Sequence, residues 1–170
     1  MIAFDDGPDA STTPRILDIL KERHTRATFF VVGDRIAGQE RLLGRILVEG
    51  HTLGNHGWSH RPLVELNPVE IATEIAMTDA LILGLTGVWP KDFRPPFVRW
   101  DDGNVVRIAE AMGHVCHLQP SFGDYDLSTT EIVEATRRLP VGSPVWLHDG
   151  VEATVEALPT ICRSRALTWV

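Results

Sequence analysis

Residues 1–33, MIAFDDGPDASTTPRILDILKERHTRATFFVVG, hold a strand, a helix and a second strand in succession. The apolar opening, 1–5, ends at two adjacent acids, Asp5 and Asp6, after which Gly7-Pro8 force a tight turn. Ser11-Thr12-Thr13-Pro14 marks a helix start with proline early in the first turn, and Ile16, Leu17 and Leu20 fall on one side of that helix. The run 27–32 then reads as the next strand. A strand, helix, strand unit repeated along a chain builds a parallel sheet.

The unit does repeat. Further strands are predicted at 51–54, 91–94, 114–119, 144–148 and 166–170, with helices between them. The second helix buries Leu42, Leu43, Ile46 and Leu47 and ends at Gly50. The third has Asn67 as its cap, Pro68 at its first position, Glu70 closing a capping box, and Ile71, Ile75 and Ile82 facing inward. A fourth covers about 104–112, a fifth starts at the Ser128-Thr129-Thr130-Glu131 capping box, and the last runs through 153–163. The expectation is a single α/β domain over 1–170, its parallel sheet closed or nearly closed as a barrel.

Composition bounds the function. The 170 residues are 44% hydrophobic and 23% charged, a globular balance, and the formal net charge of −7 repels nucleic acid and anionic membrane surfaces. Cys116 and Cys162 lie in apolar stretches and read as buried free thiols rather than a disulfide. The chain as written carries no export leader and reads as cytoplasmic; a signal segment removed beforehand would place it outside the cell or at the cell wall. Oligomeric state is left open.

In folds of this kind the loops at the C-terminal strand ends meet the substrate. Those loops are Asp5-Asp6, GNHGWSH, FRPPF, FGDYD and LHDG. Adjacent acids after a first strand also suit a magnesium site of phosphatase type or a solvated loop, but leaving a strand they point different ways, so that one can bind metal while the other handles protons. His56 and His60 are spaced i, i+4, and either a helical turn or the irregular turn favoured by Gly54, Gly57 and Pro62 brings them together. With one aspartate they make a His-His-Asp set that leaves a position open for water, as a catalytic zinc requires. Arg94, held before two prolines, is placed to orient a carboxylate. His148, following an apolar strand, emerges at the same rim as a general acid, with Asp124 as the carboxylate keeping it protonated. His24, His51, His114 and His117 read as structural.

FDDGP, GNHGWSH, FRPPF, GDYD and LHDG, in this order, resemble the motifs of the polysaccharide deacetylases, carbohydrate esterase family 4 or NodB-homology domain, and the resemblance covers nearly the whole chain. It implies a distorted (β/α)7 barrel and metal-dependent removal of acetyl groups from N-acetylated amino sugars of chitin or peptidoglycan type, or from a small acetylated amino sugar, with release of acetate. By position Asp5 resembles the catalytic base, Asp6, His56 and His60 the ligands of a divalent metal (Zn2+, with Co2+ or Ni2+ as alternatives), Arg94 the residue orienting the base, and His148 and Asp124 the general acid and its partner. Pro96 and Phe97 fall in the substrate motif, where the Phe97 N–H stands for an oxyanion donor; Leu147 is expected to line the acetyl pocket, and Trp58, Trp100 and Tyr125 to stack on sugar.

The sequence also departs from the family. Gly57 replaces a hydroxyl residue that steadies the ligand loop, which points to weaker metal binding; Ser121 stands where an acid is usual, Tyr125 where tryptophan is, and Val98-Arg99-Trp100 where glycine commonly follows. A cyclic amide or ureide hydrolase on the same fold, an O-acetyl esterase and a carbohydrate-binding domain without catalysis are the rival readings.

Overall fold

The computed structural model describes residues 1–100 and 103–164. Six strands, β1 (Ile2–Gly7), β2 (Thr28–Val31), β3 (Thr52–Asn55), β4 (Asp92–Phe93), β5 (Val115–Cys116) and β6 (Val145–His148), form one sheet in the order β5-β4-β3-β2-β1-β6. Every pairing is parallel. Helices α1 (Thr13–Glu22), α2 (Glu40–Val48), α3 (Pro68–Thr86), α4 (Asn104–Ala111), α5 (Thr129–Arg138) and α6 (Glu152–Ser164) make the crossovers and the C-terminal layer. The strand expected at 166–170 lies outside the described residues. No helix among the described residues is long and apolar enough to cross a membrane.

The predicted caps are present. Asn67 accepts hydrogen bonds from the N–H groups of Val69 and Glu70 while the Glu70 carboxylate accepts from the Asn67 N–H. Ser128 and Glu131 do the same at α5. Such reciprocal bonds satisfy helix-start donors that would otherwise be orphaned, and fix where each helix leaves its loop.

Side chains alternate between the sheet's faces. Ile2, Phe4, Phe29, Val31, Val145 and Leu147 join the helices' Leu17, Leu43 and Leu158 in the main core. Ala3, Phe30 and Trp146 point the other way. Asp5 and His148, two residues beyond Ala3 and Trp146, fall on that inner face at the strand ends.

The sheet is strongly curled. In a flat sheet its outermost strands, β5 and β6, would stand about 24 Å apart. Instead the ring of His117, the first residue after β5, lies 5.7 Å from that of Trp146 on β6, and Phe30 from the middle of the sheet touches both. The inner face therefore encloses a small, side-chain-filled interior as a barrel does. Strands β4 and β5 are shorter than expected for a local reason. Arg94 turns into this interior at once, and Pro95 and Pro96 have no N–H to continue the ladder.

Candidate active site

The first strand divides its two acids. Asp5 stays on the inner face and is 2% exposed, whereas Asp6 adopts a left-handed backbone, φ 73°, that swings its carboxylate toward the loop after β3. There Asp6 Oδ1 stands 2.9 Å from His60 Nε2 and 3.3 Å from His56 Nε2, with all three candidate ligand atoms within 4.8 Å of one another. Oxygen and nitrogen ligands about 2.0–2.1 Å from a tetrahedral zinc stand about 3.3 Å apart, so these residues fit a divalent ion. His56 Nδ1 lies 2.7 Å from the Arg94 carbonyl, which can only accept, so Nδ1 carries a proton and Nε2 is the ring nitrogen turned toward Asp6, the atom available to a metal once it is deprotonated. Burial works to raise the Asp6 pKa, but hydrogen bonds from His56 and His60 and their charges outweigh it, holding the group well below the usual carboxylate range.

Asp5 is held from the opposite side. Arg94 Nε donates to its Oδ2 at 2.5 Å, and both side chains are buried. The guanidinium also donates to the His117 carbonyl at 3.2 Å and lies 3.9 Å over the Trp146 ring. Among the described residues Asp5 Oδ1 is buried without a hydrogen-bond partner, an acceptor left free next to the Asp6, His56 and His60 cluster.

The third group joins opposite edges of the sheet. Asp124 is fully buried; its Oδ1 lies 2.5 Å from His148 Nδ1, and its Oδ2 accepts from the His148 N–H at 2.9 Å and from the Thr154 hydroxyl at 2.5 Å. Burial works to lower the His148 pKa, yet the Asp124 hydrogen bond and charge, joined by Asp5 and Asp6, raise it above the ordinary histidine value.

A cavity of about 520 Å³ brings the three parts together. Asp5, Asp6, His56, His60, Arg94 and His148 line it, as do Phe97, Tyr125, Val98, Pro120 and Ser121. Phe97 has φ 58°, is 57% exposed, and packs its ring 4.7 Å from that of His60. The Tyr125 ring stands edge-on to His148 at 5.1 Å.

Four residues expected at the substrate are placed elsewhere. Leu147 is fully buried in the main core: it follows Trp146 by one position, and period-two alternation sends it to the outer face. Trp146 is the β6 residue that faces the interior, and counting in twos back from His148 would have found it. Trp58 packs against Gly33, where an added Cβ would come within 2.4 Å of its ring. Pro96 is buried against Gly57, and Trp100 is exposed outside the cavity lining. Of the histidines read as structural, His114 pairs with Asp79 and His117 with Asp92, but His117 also anchors Arg94 through its carbonyl.

Residues 1–117 match the family described as Polysaccharide deacetylase. Over 164 residues the chain is 40% identical to the peptidoglycan-N-acetylglucosamine deacetylase PgdA of Listeria monocytogenes, an alignment that covers 94% of this chain but only 34% of the Listeria protein. It is 31% identical to a chitooligosaccharide deacetylase of Bradyrhizobium, covering 98% of this chain and 78% of that one. The solved family 4 carbohydrate esterase from Streptomyces lividans, in complex with acetate, superposes with a TM-score of 0.89 at 29% identity, over 96% of this chain and 85% of that one. The chain thus spans about a third of the length of the Listeria relative.

Proposed function

Because the chain belongs to the polysaccharide deacetylase family, carbohydrate esterase family 4, we propose that it is the catalytic domain of a metal-dependent deacetylase that hydrolyses the acetamide of N-acetylated amino sugars in chitin- or peptidoglycan-type glycans. The observation that carries this reading is one cavity in which a converging Asp6, His56 and His60 set adjoins a buried carboxylate oxygen of Asp5 that has no hydrogen-bond partner among the described residues.

Asp6, His56 and His60 would hold the ion, Zn2+ by the character of the donor set with Co2+ or Ni2+ as substitutes. A bound divalent ion supplies Lewis acidity toward the acetyl carbonyl and lowers the pKa of water to roughly 7. Asp5 takes a proton from the attacking water at Oδ1, while the Arg94 bond to Oδ2 holds the carboxylate in its orientation. The Phe97 N–H donates to the oxygen on which negative charge develops. His148, kept protonated by Asp124, gives its proton to the departing sugar nitrogen, so that acetate and a free amino sugar are the products.

Acetate release from acetylated chito-oligosaccharides and peptidoglycan fragments of increasing length, assayed with and without chelator, tests the proposal. Chelator-sensitive release supports it. No release from any acetylated glycan, or release indifferent to exhaustive chelation, refutes it.

A further inference from the structure

His56 and His60 bracket only Gly57, Trp58 and Ser59, and the middle of that loop is gripped by a residue from another element. Glu74 projects from α3 and is 6% exposed. Its Oε2 accepts from two successive backbone N–H groups, Trp58 at 2.9 Å and Ser59 at 2.8 Å, while its Oε1 accepts from the Ser59 hydroxyl at 2.7 Å and from Arg61 Nη2 at 3.3 Å. A carboxylate this buried is tolerated only when its lone pairs are met, and two adjacent N–H groups aimed at one oxygen form the kind of nest that selects an anion. Burial works to raise the Glu74 pKa, but these donors prevail and hold it below the usual range, so the group is charged.

The loop needs such a grip. Its backbone enters the left-handed region at Gly57, φ 77°, and again at His60, φ 56°, where a side chain makes that conformation costly. Its other ties include the Gly57 and Trp58 carbonyls, which accept from Gly33 and Asp34, the Gly57 N–H, which donates to Asn55 Oδ1, and the Ser59 hydroxyl, which accepts from Arg61 Nε. Gly57 contributes no hydroxyl of its own. The N–H groups between the two imidazoles close on Glu74, so its position sets how far apart His56 and His60 stand.

We infer that Glu74 is a positioning residue for the metal centre: from α3 it fixes the backbone between His56 and His60 and thereby holds the two imidazoles at the separation one divalent ion requires. The inference rests on the metal reading of Asp6, His56 and His60.

The test measures Co2+ and Zn2+ affinity by chelator competition, together with the Co2+ absorption spectrum, in wild type, Glu74→Gln and Ser59→Ala. In Glu74→Gln an amide NH2 confronts donors, and the dissociation constant is expected to rise 10–100-fold with an altered Co2+ spectrum, as for outer partners of metal ligands. Ser59→Ala, which removes the half-buried hydroxyl that donates to Glu74 and accepts from Arg61, is expected to weaken binding about fivefold. A folded Glu74→Gln with wild-type affinity and spectrum overturns the assignment. If that variant does not fold, wild-type affinity in Ser59→Ala overturns it. Failure of the unmodified chain to bind either ion overturns the metal reading itself, a result distinct from an unchanged affinity in the variants.

Discussion

Asp5 and His148 are register partners on the adjacent parallel strands β1 and β6. The sheet thus sets a carboxylate and an imidazole side by side on its inner face, each tied from behind by a buried group of opposite charge, Arg94 for Asp5 and Asp124 for His148. A pair so arranged suits proton uptake at one member and proton delivery at the other. Replacing Asp5 with Asn keeps its size and leaves Asp6, His56 and His60 in place. Turnover is expected to fall by at least about 10²-fold, the ordinary contribution of a general base, with metal stoichiometry unchanged. Single-turnover assays alongside metal analysis check this; full activity in Asp5→Asn would remove it from the base role.

The same pairing predicts a pH dependence. The His148 pKa is raised, because the Asp124 bond and charge outweigh burial. The protonated form required of an acid then persists above the ordinary value of about 6.5, and the alkaline limb of kcat/KM attributable to His148 should lie above that pH. Asp124→Asn should move the limb downward. The stability linkage has matching sign: a raised histidine pKa contributes stability that is complete below about 6.5 and lost as pH rises through the folded-state value. Urea melts at pH 6 and pH 9 should show a larger difference in wild type than in His148→Gln, and an equal difference in both would count against the linkage.

Trp146 and Leu147 mark where reading the chain succeeds and where it stops. The capping boxes at Asn67 and Ser128 and the rim motifs are local in sequence and legible there, because each depends on neighbours within a few residues. The curl of the sheet, which brings His117 against Trp146, and the grip of Glu74 on the loop between His56 and His60 join residues 15 or more positions apart, with no short-range signature. Motif position directs Leu147 to the acetyl pocket, whereas strand period turns it into the main core. The structure separates the two roles: Leu147→Ala should cost about 2–5 kcal/mol of stability, as cavities in packed cores do, with substrate preference unchanged. Trp146→Leu removes the ring beneath the Arg94 guanidinium and should lower kcat more than it alters KM. Denaturant melts and steady-state kinetics on both variants check the contrast, and reversed effects would refute it.

Removing the ion should act on folding as well as on turnover. His56 and His60 lie on the loop after β3 and Asp6 near the end of β1, so an ion bound by all three ties the ends of β1 and β3 together. A ligand that binds only the folded state stabilises it by RT ln(1 + [L]/Kd), about 2.7 kcal/mol at one hundred times Kd. Zn2+ should therefore raise the melting temperature of the chelator-treated protein in a concentration-dependent way. Asp6→Ala should abolish that rise, since two histidines on a loop with positive-φ positions at Gly57 and His60 are left without the carboxylate. The control is Asp5→Asn, which leaves the ligand set whole and should keep the full metal-dependent shift. An equal rise in Asp6→Ala would locate the stabilising ion away from this triad, and the division of labour between the two adjacent acids would fail with it.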